Sequence, residues 1–97
     1  MQVRFLEAAQ RELDEAIEYY GAQVPFLGQA FLIEVLASLE RVKQYPEAWH
    51  SLSARTRRCQ LKRFPYGVIY SKLDDVILVL AIAHLHRKPN YWRNLQN

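Results

Sequence analysis

The sequence predicts an α+β fold: one N-terminal strand, an antiparallel helix hairpin, then a three-stranded antiparallel meander completing one small sheet, with a short C-terminal tail. Three observations predict it. Apolar residues recur at helical spacing through the first half of the chain, and from Arg58 onward the spacing changes to two. The whole chain is 97 residues, 51% of them hydrophobic, which is enough for one core and too little for two. The element order is therefore β-α-α-β-β-β in a single domain spanning residues 1–97.

Each element has its own signal. Residues 2–6, QVRFL, alternate with Val3 and Phe5 on one face and Arg4 on the other. Ala9, Leu13, Ala16, Ile17 and Tyr20 then form a helical stripe, with Glu7, Glu12, Asp14, Glu15 and Glu18 on the polar face. Acids in the first turns suit the helix dipole, and Gly21 is the expected stop. A second helix is expected from Pro25, whose fixed φ suits a first turn, to Gln44 before Pro46. Its apolar stripe, from Phe26 and Leu27 through Phe31, Leu32, Ile33, Val35, Leu36, Leu39 and Val42, is wider than one core contact requires. Tyr19 and Tyr20 are placed to close the hairpin, and Phe31 and Leu39 to enter the core.

In the second half, Cys59 and Leu61 alternate with Arg58, Gln60 and Lys62, a half-buried strand with a basic outer face. A strand rich in Val, Ile and Tyr runs from Tyr66 to Leu73, and Asp74-Asp75 is a polar turn. Val76–His84 follows, and its VILVLAIA core is apolar on both faces, as a central strand covered on both sides would be.

Composition excludes several classes. A single cysteine, Cys59, rules out a disulfide framework and a four-cysteine zinc site. The N-terminus lacks the pattern of a signal peptide. The longest apolar run, Val76 to Ala83, falls well short of the roughly 20 residues that span a bilayer. A cytoplasmic location is expected, with no membrane partner. No glycine-rich nucleotide-binding loop is present. The net charge of +3 hides an asymmetry: residues 1–48 carry four basic and eight acidic residues, a net of −4, and residues 49–97 carry nine and two, a net of +7. A polyanion or an acidic partner is expected on the C-terminal half.

Chemistry concentrates at the ends of the last three strands, in Lys62, Arg63, Tyr66, Tyr70, His84, His86, Arg87, Lys88, Tyr91, Trp92 and Arg93. His84-Leu85-His86 on a strand can offer two metal ligands, but nothing in the spacing brings His50 close and no carboxylate flanks the pair. No metal is expected. Metal-free RNA cleavage needs a base, an acid and cations on the phosphate. His84 or His86 suits the first two roles, and Arg63, Arg87 and Lys88 the third, with Tyr66 or Tyr91 stacking on a base. The same residues also suit a binding surface or a solvated rim. Tyr70 shares a face with Val68, consistent with packing, and Trp92 is placed to cover the sheet end. Arg55, Arg57 and Arg58 form a solvated cluster or a phosphate contact. Alternation puts Cys59 on the apolar face, where a thiolate is costly.

EAAQRELDEAIEYY, the second helix ending in YP, RRCQLKRFPYGVIY and VILVLAIAHLHRKPNYW together resemble the RelE/ParE superfamily, toxins of bacterial type II toxin–antitoxin modules. The resemblance covers nearly the whole chain. It implies the element order above, growth inhibition or plasmid stabilisation, no cofactor, and a cognate antitoxin with an acidic segment. RelE-like members cut messenger RNA on the ribosome, whereas ParE-like members poison DNA gyrase. RelE-like nucleases place two basic residues on the strand that here reads Arg58-Cys59-Gln60, and an arginine where this chain has Gly67. They follow with a basic residue and a tyrosine that match His86 or Arg87 and Tyr91 or Trp92. Gln60 and Gly67 are departures, and they favour the ParE-like reading.

Three functions follow in order: a gyrase poison acting by binding, a ribosome-dependent messenger-RNA endonuclease, and a non-toxic basic RNA-binding or assembly module. In the endonuclease the catalytic residues would be His84, His86, Arg87 and Tyr91. Target or phosphate contacts fall to Arg58, Lys62, Arg63, Tyr66, Lys88, Trp92 and Arg93. Antitoxin contacts fall to Phe31, Val35, Leu39, Arg58 and Lys62.

Overall fold

The computed structural model describes residues 1–86. Strand β1 (Gln2–Phe5) leads into helices α1 (Glu7–Gln23) and α2 (Leu27–Gln44), then β2 (His50–Ser51), β3 (Arg57–Gln60), β4 (Tyr66–Leu73) and β5 (Val76–His84). The strands form one sheet in the order β1-β5-β4-β3-β2. β2 through β5 pair antiparallel, and β1 lies parallel to β5 with Val3 opposite Ile77 and Phe5 opposite Val79. The mixed sheet agrees with the expected α+β order and adds β2, a two-residue edge strand in which His50 pairs with Arg58.

Gly21 does not end α1, which continues to Gln23. The glycine lies instead where the two helices approach most closely, beside Gly28 of α2. α2 starts at Leu27 rather than Pro25, because Val24–Leu27 closes a β-turn first. The Leu27 N–H donates to the Val24 carbonyl at 2.9 Å, and Phe26 sits at φ −89, ψ −9. Those angles suit the third residue of a type I turn, with proline in its favoured second position.

The helices cover one face of the sheet. Phe31 is the hub, its ring 5.0 Å from Phe64 and Tyr66 and 5.4 Å from Tyr20, with Val35, Val42, Val68, Tyr70, Ile77, Val79 and Ile82 buried around it. β5 is buried on both faces, as its composition predicts. A β-bulge shifts its side-chain phase: Ile69 pairs with Ala81 and Tyr70 with Val79, so Leu80 has no opposite residue. Ile77, Val79 and Ile82 join the main core, while Leu80, Ala81 and Ala83 pack with Ile69 in a second cluster. β1 ends at Phe5, before the bulge, and Glu12 of α1 takes its place, accepting the Ile82 N–H at 3.0 Å. Asp74 in the β4–β5 turn has φ 53, a left-handed conformation that aspartate tolerates.

Candidate functional site

The site is the end of the sheet where β3 turns into β4 and β5 finishes. Tyr66 and His84 are opposite one another in the ladder, and their rings meet edge to face at 4.9 Å. His86 follows with its ring 5.3 Å from that of His84, and its backbone N–H donates to His84 Nδ1 at 3.1 Å. A concavity of about 500 Å³ opens beside Tyr66 and His84, walled on the α1 side by Glu12, Glu15, Tyr19 and Tyr20.

The loop between β3 and β4 presents Lys62 and Arg63, and its anchor is one buried acid. Glu34 of α2 is 8% exposed. Its carboxylate accepts the backbone N–H groups of Lys62 and Arg63, the second at 3.0 Å, and the Arg63 guanidinium Nε at 3.0 Å. Burial alone would raise the Glu34 carboxyl. The hydrogen bonds from Arg63 and Lys62 and the Arg63 charge outweigh it, so its pKa lies below the ordinary 4.5. Glu34 is absent from the sequence-predicted site residues, although its position carries a signal: an acid between Phe31, Val35 and Ser38, all on the buried stripe of the helix.

The predicted residues do not all converge. Tyr66, His84 and His86 come together, with Lys62 and Arg63 on the adjoining loop. Arg58 lies elsewhere: Cys59 and Tyr66 face the helices, so Arg58 and Gly67, one step out of phase with them, are on the opposite face of the sheet. A Cβ on Gly67 would come within 2.8 Å of Arg58 Cγ and 3.0 Å of Cδ, so the aliphatic stem of Arg58 fills the space of the absent side chain. Gly67→Ala must therefore displace the Arg58 guanidinium. Its effect on function is expected to match that of Arg58→Ala, with the fold cost within about 1 kcal/mol. A functional defect in Arg58→Ala alone would contradict this coupling. Arg87, Lys88, Tyr91, Trp92 and Arg93 lie outside the described residues.

The apolar antitoxin candidates need correction. Phe31, Val35 and Leu39 are 0%, 0% and 4% exposed and belong to the core, so no partner reaches them in the folded chain. The open stripe on α2 is Ile33 and Leu36, 58% and 51% exposed, continuing to Phe26 before the helix. Cys59 is fully buried and its thiol pKa is raised by loss of solvent, as its place on the apolar face implies. His50 sits on edge strand β2, two strands away from β4, and the described residues contain no group of three metal-ligating side chains. No described helix is long and apolar enough to cross a membrane.

A solved structure described as the chromosomal ParDE TA system from P. aeruginosa superposes with a TM-score of 0.63 at 20% identity, over 89% of this chain and 97% of that one. A family model described as "ParE toxin of type II toxin-antitoxin system, parDE" matches residues 3–89. Toxin ParE2 of Mycobacterium tuberculosis, from two strains, is 30% identical over 89 residues, which is 91% of this chain and 85% of the relative. The chain belongs to the ParE toxin family.

Proposed function

We propose that this ParE-family toxin arrests growth in the cytoplasm by binding and poisoning DNA gyrase, and that a cognate antitoxin with an acidic segment neutralises it. The observation that supports binding over RNA cleavage is the scatter of the cations. An endonuclease needs its acid, base and cations on one phosphate. Here Gly67 offers no side chain, Arg58 is across the sheet from His84, and Arg63 is tied to Glu34. The purified chain should stabilise gyrase–DNA cleavage complexes or block supercoiling. Unimpaired supercoiling together with normal replication after induction would refute the reading.

One observation favours ribosome-dependent cleavage, the clustered Tyr66–His84–His86 group, whose rings meet edge to face and tilted. In that case induction gives ribosome-dependent cuts in messenger RNA by primer extension, and His84→Ala abolishes them. A non-toxic RNA-binding or assembly module would instead permit normal growth on strong expression.

For the antitoxin, the exposed stripe of Ile33 and Leu36 fits the apolar face of a partner helix, and Lys62 fits its acidic residues. Ile33→Glu with Leu36→Glu should leave the melting temperature close to that of the parent, because both side chains are in water. Co-expressed antitoxin should then fail to rescue growth. Full rescue would move the antitoxin to another surface.

A further inference from the structure

The opposite end of β4 carries a second concavity, about 20 Å along the strand from Tyr66. It measures about 430 Å³ and is lined by Arg55, Arg57 and Lys72, by Tyr70, and by Glu47 and Asp74. Its frame is fixed. The Arg57 guanidinium donates to the Trp49 carbonyl at 2.9 Å, and the Tyr70 hydroxyl donates to the Pro46 carbonyl. Around Arg55, the Leu52 N–H donates to the Thr56 carbonyl at 2.9 Å, the Ser53 and Thr56 hydroxyls are 2.6 Å apart, and the Ser71 hydroxyl donates to the Arg55 carbonyl. Each basic residue is therefore carried on a pinned backbone.

Among the described residues, none of the three cations forms an ion pair, although two carboxylates line the same cavity. Three positive and two negative groups leave an excess of one positive charge. That balance suits one carboxylate and opposes a polyanion, which would meet Glu47 and Asp74. Guanidinium groups offer forked donors that match a carboxylate, and Pro46, Ala54 and Leu73 give an apolar wall for a short aliphatic stem. The geometry points to a docking site for a glutamate side chain of an acidic peptide segment. This site is separate from the Tyr66–His84 end and requires neither a toxin target nor any particular neutralising partner.

A capped peptide of alternating glutamate and alanine tests it, with inorganic phosphate as the second probe, both titrated into the full chain and followed by NMR. The peptide should shift the side-chain Nε–H signals of Arg55 and Arg57 and the backbone amide of Lys72, saturably and more tightly than phosphate does. Lys72→Gln, an exposed change that spares the fold, and Arg57→Gln should each weaken binding about tenfold. The proposal fails if the peptide leaves these signals in place or shifts only Lys62 and Arg63. It also fails if phosphate binds more tightly than the peptide, or if both variants bind as the parent does.

Discussion

Gly28→Ala is expected to lower stability by roughly 2–3 kcal/mol, a fall in Tm of about 10–20 °C for a chain of this size. A Cβ at position 28 would lie 2.4 Å from the Ile17 carbonyl oxygen and 3.2 Å from the Gly21 backbone. These are main-chain atoms inside α1, so no side chain can swing aside to relieve the clash. The hairpin must open, and with it the contact of α1 and α2 over Phe31. Gly21→Ala is the internal control: its Cβ would meet only the Gly28 Cα, at 3.9 Å. An alanine there, inside α1, should stabilise by about 0.5–1 kcal/mol. Thermal melts followed by circular dichroism read both. A Gly28→Ala protein that melts with the parent would show that the hairpin is not this closely packed.

Glu34→Ala is the second large effect, with an expected loss of about 3 kcal/mol. It removes the acceptor of the Lys62 and Arg63 backbone N–H groups, and a hydrogen bond to a charged group contributes about 1.5–3 kcal/mol. The Arg63 side chain is 68% exposed, so losing its ion pair adds little. Glu34→Gln keeps one acceptor and should lose less. The acid also sets a pH dependence. The folded-state pKa of Glu34 is depressed, so its contribution is present above the ordinary value of 4.5 and is lost as pH falls through the lower folded value. Urea midpoints should fall as the pH drops below 4.5 in the parent, and less steeply in Glu34→Gln. Equal pH slopes in the two proteins would remove Glu34 as the titrating group.

Regular period made much of the fold readable. β1, β4 and β5 alternate or run apolar between clear breakers, and the Asp74-Asp75 turn lies where the polar pair interrupts them. Helix ends were harder: a glycine costs a helix only about 1 kcal/mol, so α1 runs through Gly21 to Gln23, and Pro25 belongs to a turn that precedes α2. β2 has no pattern of its own, since two residues join the sheet only by pairing with Arg57 and Arg58. The bulge at Leu80 was invisible, because a strand apolar on both faces keeps its composition when its phase shifts.

At the site, Tyr66 and His84 were readable as strand ends, and Gly67 as a missing cation. That the Arg58 stem fills the gap depends on register across the sheet, which the linear pattern does not contain. The two-sided apolar stripe of α2 is a similar case. Spacing alone ranks Phe31, Val35 and Leu39 with Ile33 and Leu36; only the position of the sheet decides which set faces inward.

The sheet keeps its long strands inside and its short ones outside. β4 and β5, of eight and nine residues, are flanked by β1 and β3 with four each, and β2, with two, forms the outer edge beyond β3. Where β1 stops, a carboxylate from 70 residues earlier occupies the next ladder donor, the Ile82 N–H. Little main chain is therefore offered along either border of the sheet for another protein's strand to zip onto. Short borders of this kind limit both strand addition by other proteins and edge-to-edge aggregation. Under the proposed function, recognition falls to side chains on α2, on the strand-end loops and in the clefts at the two ends of β4, where single substitutions would tune how tightly each partner is held.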